Sequence, residues 1–377
     1  MELRAPTSES TAESNRVQTV RSRSKNATLG LVSSGGDPQS PCPTRRDPTG
    51  DSHRGGWGRA LRIQSFGVNR QIRKAVIGFL AAVVVVVILA GVMRRRALDS
   101  LKTELDLRLP RGSNGIILGA GPISLVSDGP YAVLLLHGGG DTPQSLHYVA
   151  EELSARGYTV LAPLLPGHGR GLREFGSVTA DDWLRAARSA LSSLQVSYAW
   201  VGVAGLSMGG ALAAQLGAES PDIPAIVFLA PYLSMRLGET IVSRTSPLWK
   251  WLVPYARTAS GGSIIDPVER ARNLAYGVFM PSALYGLWIT SRRGFASLPS
   301  VTAPALVVQS RQDNRITSRA CEGSFSRLGS QEKRLVWING AGHVLTVDYG
   351  RERVAELIGD WMDQHRFPTG HQPPGGG

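Results

Sequence analysis

An α/β protein, with a mostly parallel sheet covered by helices on both faces, is what three features of this 377-residue sequence predict. From Ala132 onward, mostly apolar runs of four to six residues alternate with longer stretches whose apolar residues recur at helical spacing. These runs end in glycine or polar turns and lack inside–outside alternation, the mark of strands buried on both faces. Ahead of them, residues 75–93 contain no charged side chain, so a membrane-spanning helix is expected before the α/β body.

Residues 1–68 are rich in Ser, Thr, Arg, Gly and Pro and show no apolar periodicity. Such a composition buries too little surface to offset the entropy of ordering, and a disordered basic tail is expected. A misassigned start codon is the competing reading of the first 60 residues. The net charge of +12 is concentrated near this end: residues 1–102 hold 17 Lys and Arg against 7 Asp and Glu, and the rest hold 24 against 22. A nearly neutral body lacks the basic stripe of a nucleic-acid-binding domain, so no nucleic-acid partner is expected. Cys42 and Cys321 have neither metal-site spacing nor the number a disulfide framework needs.

Residues 69–96 read as a transmembrane anchor with basic flanks. The nineteen apolar residues Ala75 to Met93 rise roughly 28 Å as a helix, close to the thickness of a bilayer's hydrocarbon core. A core helix of a soluble protein is seldom apolar on every face for that length. A cleaved signal peptide is disfavoured by the late start and by Arg94-Arg95-Arg96 directly after the span. Five basic residues precede the span and six follow it within twenty positions, a balance that assigns no orientation. A single-pass membrane protein is expected, with the side of its body left open. Residues 97–114 are charged and read as a linker.

The body follows element by element. Ala132–Leu136 is the first buried strand. Ser145–Arg156 is a helix with Leu146, Val149, Ala150 and Leu153 on one face. Tyr158–Leu161 is the next strand, and Asp181–Leu194 a helix that Thr179 can cap. Ala199–Ala204, Ala225–Leu229, Ala305–Gln309 and Leu335–Ile338 complete the strands. Residues 231–300 break the alternation: rich in Trp, Tyr and Leu and mostly helical in pattern, they read as a cap inserted between core segments 115–230 and 301–367. Residues 368–377, Gly- and Pro-rich, read as a flexible tail.

Gly205-Leu206-Ser207-Met208-Gly209 fits G-x-S-x-G between a predicted strand and a predicted helix. A sharp strand-to-helix turn exposes the serine hydroxyl, and glycines two before and two after relieve side-chain clashes. The pattern alone is weak and is matched by any helix-capping serine after a glycine turn; the flanking elements carry the reading. His137-Gly138-Gly139-Gly140 ends the first strand. Backbone N–H groups there can stabilise the negative oxygen that forms when an ester carbonyl is attacked. The N–H groups of Gly139 and Met208 are the expected donors. A phosphate-cradling loop is excluded, because no Lys-Ser or Lys-Thr follows.

A serine hydroxyl needs a base near neutral pH. Of the seven histidines, His53, His365 and His371 lie towards the chain ends, His147 sits in a helix pattern, and His137 and His168 suit loop-shaping roles. His343, in a glycine-rich loop after the last strand, is the expected base, and Asp313, after the preceding strand, the acid that orients it. Loops of this kind gather at the carboxyl edge of a parallel sheet, where ligands bind. Asp348 is a rival acid but reads as a capping or surface residue.

The segments 134–143 (LLLHGGGDTP), 156–169 (RGYTVLAPLLPGHG), Asp182-Trp183, 205–210 (GLSMGG), 304–313 (PALVVQSRQD) and 342–348 (GHVLTVD) resemble bacterial carboxylesterases and monoacylglycerol lipases of the α/β-hydrolase superfamily. The resemblance covers about residues 115–365, in order. It implies the α/β-hydrolase fold, a triad of Ser207, Asp313 and His343, oxyanion amides from Gly139 and Met208, a cap over the site, and no metal or organic cofactor. The order Ser, Asp, His along the chain is the one that fold uses. One departure is Gly139 where the resembled proteins carry a bulky residue, which implies an opened acyl pocket or a looser oxyanion hole.

The expected activity is hydrolysis of carboxylic esters through an acyl-enzyme, on lipid-like esters such as monoacylglycerols. Trp249, Trp251, Leu252, Tyr255, Tyr276, Phe279, Met280, Tyr285 and Trp288 are the expected acyl-chain lining, and the membrane is contacted through residues 75–93. An acyltransferase or thioesterase would use the same three residues and differ in its products. An inactive membrane-tethered binding protein is the reading outside enzymes, disfavoured by a complete triad.

Overall fold

A computed structural model describes residues 69–258 and 263–366. The expected tails at 1–68 and 368–377 lie outside them, as does Cys42. The body is built on a seven-stranded sheet of order β1-β3-β2-β4-β5-β8-β9. Its strands are β1 (Ile123–Leu125), β2 (Tyr131–Leu136), β3 (Thr159–Ala162), β4 (Trp200–Leu206), β5 (Ile226–Leu229), β8 (Ala305–Ser310) and β9 (Lys333–Ile338). All neighbours pair parallel except β1, which runs antiparallel to β3 at the edge. That short edge strand had no apolar run to announce it.

Helices α2 (His147–Ala155) and α10 (Arg351–Arg366) cover one face, closing a cluster of Val133, Leu135, Val160, Ala204 and Val308. Helices α4 (Ala180–Ser197), α5 (Met208–Glu219) and α8 (Pro281–Ser297) cover the other, with the short α3 (Leu172–Phe175) and α9 (Ser318–Arg327) beside them. Apolar strands such as β4 follow from this, because a sheet covered twice has no face for polar residues. Thr179 caps α4 as its position suggested: its side chain and that of Asp182 each accept from the other's backbone N–H.

Strand order sets the location of the site. The chain passes from β2 to β3 on one side, then crosses back to place β4 on the other side of β2. The loops after β2 and β4 therefore diverge at the carboxyl edge and leave a crevice between them.

Two expected boundaries shift. Helix α1 runs unbroken from Arg70 to Arg108, so most of the stretch read as a linker is helix. Leu101, Leu105 and Leu109 are buried in the core at its foot, and charge alternation had concealed that apolar stripe. The insertion 231–300 contains α6 (Leu237–Trp249), the two-stranded β6 (Ala256–Arg257) and β7 (Val278–Phe279), and α7 (Pro267–Arg272). Its last helix, α8, belongs to the body: Gly294 lies so close to α5 that a Cβ there would come within 2.6 Å of the Ala211 carbonyl oxygen. Parallel strands β5 and β8 need a crossover helix on the sheet, and α8 is that helix.

Candidate active site

The turn from β4 into α5 carries Ser207 at φ 55°, ψ −114°, a left-handed backbone that residues with a Cβ rarely adopt. Hydrogen bonds over-determine it: Ser207 N–H donates to the Leu229 carbonyl at 2.8 Å, and the Ser207 carbonyl accepts from Tyr232 N–H at 2.9 Å. The flanking glycines are obligatory on steric grounds. A Cβ on Gly205 would lie 2.2 Å from the Gly209 carbonyl oxygen, and one on Gly209 would lie 2.0 Å from that of Leu136.

The loop after β9 brings His343 to this serine, with Nε2 2.8 Å from Ser207 Oγ. Its Nδ1 is 2.8 Å from Asp313 Oδ2, contributed by the loop after β8. Asp313 Oδ2 also accepts from Gln309 Nε2 at 2.7 Å, and its Oδ1 accepts from the N–H groups of Arg315 and Ile316 at 2.7 and 2.9 Å. Burial alone would raise the pKa of this carboxyl; the adjacent His343 and the donated hydrogen bonds outweigh it and hold the pKa below its usual value. With Nδ1–H donated to an ionised Asp313, Nε2 faces the serine as an acceptor.

Asp348, expected as a capping or surface residue, is fully buried instead. Its carboxylate accepts from the N–H groups of Gly342, Ile265, Asp266 and Tyr349 at 2.6, 2.7, 2.8 and 2.9 Å. It thereby fastens the His343 loop to the segment leading into α7. No local pattern marks such a role, since Ile265 and Asp266 reach it from 83 and 82 residues away.

The loop after β2 is shaped by two buried imidazoles. His168 Nε2 accepts from Gly140 N–H at 2.9 Å, and His137 Nε2 from Leu165 N–H at 3.1 Å. Burial drops the pKa of His168 to about 4, and burial together with His168 pushes His137 well below its usual value. Both rings stay neutral near pH 7, as accepting an N–H requires.

Gly139 and Met208 are adjacent: a Cβ on Gly139 would sit 3.3 Å from Met208 Sδ. Met208 opens α5, so its N–H has no intrahelical acceptor. The room that glycine leaves at 139 does not open the pocket, because Phe279 and Leu287 fill it, at 3.3 and 3.5 Å from the same point.

A cavity of about 250 Å³ lies over Ser207 and His343. Phe279 is the one residue of the expected acyl lining that borders it; Trp251 and Leu252 instead face outward, each 72% exposed. Its apolar walls include Ile264, Val278, Phe279 and Leu287, and its charged groups are Asp141, Arg108, Arg270 and Arg315. These four were not foreseen as site residues, because they come from the β2 loop, α1, α7 and the β8 loop. Among the described residues, no group of three or more His, Cys, Asp or Glu is arranged to hold a metal ion.

Comparison with known proteins agrees with this architecture. The family described as serine aminopeptidase, S33, matches residues 130–349. A thermostable monoacylglycerol lipase of Bacillus sp. (strain H-257) is 28% identical over 250 residues, 66% of this chain and 97% of that protein. A carboxylesterase of Bacillus subtilis (strain 168) is 25% identical over 241 residues, 63% of this chain and 94% of its own. Among solved structures, one from the metagenome-derived lipolytic enzymes LipS and LipT superposes with a TM-score of 0.62 at 29% identity, covering 66% of this chain and 100% of that one.

Proposed function

Because the chain belongs to the serine aminopeptidase S33 family, and is an ester hydrolase of lipase and esterase type with the α/β-hydrolase fold, we propose that Ser207, His343 and Asp313 form its catalytic triad. The observation that carries this reading is the unbroken line from Ser207 Oγ through the His343 imidazole to Asp313, both links 2.8 Å. Ser207 Oγ attacks the ester carbonyl while His343 Nε2 takes its proton. The negative oxygen of the tetrahedral intermediate is held by the N–H groups of Gly139 and Met208. His343 then protonates the departing alcohol, and an acyl-enzyme remains. Water, deprotonated by the same imidazole, releases the acid.

Lipid-like acyl esters are the proposed substrates, and the body works at a membrane surface. The apolar walls of the cavity and the likeness to a monoacylglycerol lipase support the first point. For the second, α1 is long and apolar enough to cross a bilayer by length and composition, and it joins the body without a hinge. Arg94, directly after the uncharged stretch, donates to the Lys250 carbonyl beside the exposed Leu248, Trp251 and Leu252. In domain terms, residues 69–96 are the proposed anchor, and 115–230 with 301–366, together with α8, the proposed catalytic core.

Labelling the full chain in detergent micelles with a fluorophosphonate tests the proposal. The native protein should label and hydrolyse long-chain esters, and Ser207→Ala should do neither. A native protein that neither labels nor cleaves any ester would end it.

A further inference from the structure

We infer that Tyr232 is a positioning residue of the triad, and that through it the cap helix α6 holds His343 in line with Ser207. The inference rests on the catalytic reading above and adds a residue that acts through Ser207 and His343 rather than on the ester.

Among the described residues, the non-glycine residues at positive φ are Ser207 at 55° and Ala230 at 41°. Strain of this kind persists only where the surroundings over-determine it, and it gathers at functional sites. The two strained turns are laced together. Ser207 N–H donates to the Leu229 carbonyl at 2.8 Å, and Tyr232 N–H donates to the Ser207 carbonyl at 2.9 Å. Ala230 lies between Leu229 and Tyr232, so its bend lets both reach the same serine. Its own N–H donates to the Val308 carbonyl at 2.9 Å, which fastens the bend to β8.

The side chain of Tyr232 carries the connection on to the base. Its ring borders the cavity and stands edge-on to the His343 imidazole, with centroids 6.4 Å apart and planes at 74°. Asp313 fixes that imidazole at one nitrogen, and a ring held at one point still pivots; a packed neighbour limits the pivot. Tyr232 is itself fixed at its far end. Its hydroxyl donates to Glu239 Oε2 at 3.1 Å, and the same oxygen accepts from Arg236 N–H at 3.2 Å. Burial and the charge of Glu239 hold the phenol well above its usual pKa, so it remains a donor.

Glu239 belongs to the first turn of α6, and this end of the helix also reaches the loop of the third triad member. Arg236 Nη2 donates to the Asn314 carbonyl at 3.3 Å, one residue past Asp313. Further along, Ser246 Oγ donates to the Pro281 carbonyl at 2.6 Å, and the Lys250 carbonyl accepts from Arg94 at 2.6 Å. At 1.5 Å per residue α6 is about 20 Å long. One helix therefore joins the end of the uncharged stretch of α1 to the loops that carry Ser207, Asp313 and His343.

The test measures kcat, KM and the rate of fluorophosphonate labelling for the full chain in detergent micelles, on a dissolved short-chain ester. Labelling to saturation counts the folded sites. Tyr232→Phe keeps the ring and the backbone N–H and removes only the bond to Glu239. It should lower kcat and the labelling rate by about tenfold and leave KM within about twofold, because a loosened imidazole impairs proton transfer and not binding. Glu239→Ala should show the same loss, and the double variant no more than either alone, since both changes remove one contact. Glu239→Gln retains an acceptor oxygen and should keep kcat within about threefold of the native value. If Tyr232→Phe does not fold, Glu239→Ala against Glu239→Gln carries the same comparison. An unchanged kcat per labelled site, a loss carried by KM, or additive losses in the double variant overturns the inference and leaves the triad standing. A native chain that does not label would remove the triad first.

Discussion

Arg94 donates a hydrogen bond of 2.6 Å to the backbone carbonyl of Lys250, tying the end of the apolar stretch of α1 to the turn that follows α6. Below that contact, Glu104 pairs with Arg257 at 2.7 Å, and Leu101 and Leu105 are buried in the core. The helix therefore behaves as a strut of the body. At 1.5 Å per residue, Arg108 at the cavity lies about 21 Å along the helix from Arg94.

If α1 spans a bilayer, the turn at Lys250 meets its surface, and the exposed Trp251 and Leu252 enter the headgroup region where Trp is favoured. Replacing both with Asp should reduce hydrolysis of esters embedded in vesicles by about tenfold, since each charge opposes insertion. Hydrolysis of a dissolved short-chain ester should stay within twofold. Equal losses on both substrates would show that the turn acts on the site and not on the membrane.

Gly209 and Gly323 are opposite cases of one residue type. A Cβ on Gly209 meets the backbone oxygen of Leu136, which cannot move without breaking the β2–β4 pairing. Gly209→Ala should cost about 3 kcal/mol or more and abolish labelling of Ser207. Gly323 sits in α9 with nothing within 4 Å of the same point, so Gly323→Ala should stabilise by about 1 kcal/mol. Thermal unfolding of the two variants separates these outcomes, and similar midpoints would contradict both arguments.

Asp141 makes stability pH-dependent in an unusual direction. Burial raises the pKa of its carboxyl to about 6 in the folded protein, against an ordinary value of 3.8. Between those values the folded state holds the extra proton, so stability falls as pH rises through the window. Above it the full cost is present, about 3 kcal/mol. Asp141→Asn, which retains the acceptor for Thr142 N–H, should therefore stabilise the protein at pH 8 and lose its advantage below about pH 4. A gain of equal size at both pH values would disprove this account.

Asp313→Asn should lower kcat by about 10⁴ while leaving the fold intact. Asn can still accept from the N–H groups of Arg315 and Ile316, but its amide would face His343 Nδ1 as a donor. The imidazole would then carry its proton on Nε2, where it cannot receive the hydroxyl proton of Ser207. A kcat reduced less than tenfold would argue that another group orients His343.

Some of this protein was legible residue by residue. A strand covered on both faces is apolar over most of its length, so β2, β4, β5 and the first four residues of β8 appear in the sequence as apolar runs. An elbow too tight for side chains demands glycines at fixed distance from the serine, so Gly205 and Gly209 mark Ser207. A span of bilayer length without charge marks residues 75–93. Each of these constraints acts on neighbours in the chain and leaves a local pattern.

Other features were decided only when distant segments met. Asp348 is buried where the backbone N–H groups of Ile265 and Asp266, more than eighty residues away, reach its carboxylate, although nothing beside it in sequence differs from a surface aspartate. The stripe Leu101, Leu105 and Leu109 is hidden among charges until the body closes over it. The cavity takes Arg108, Arg270 and Arg315 from three positions that no periodicity links. Local sequence carries the constraints of backbone and solvent, whereas the charge and shape of a cavity belong to whichever side chains the fold brings together.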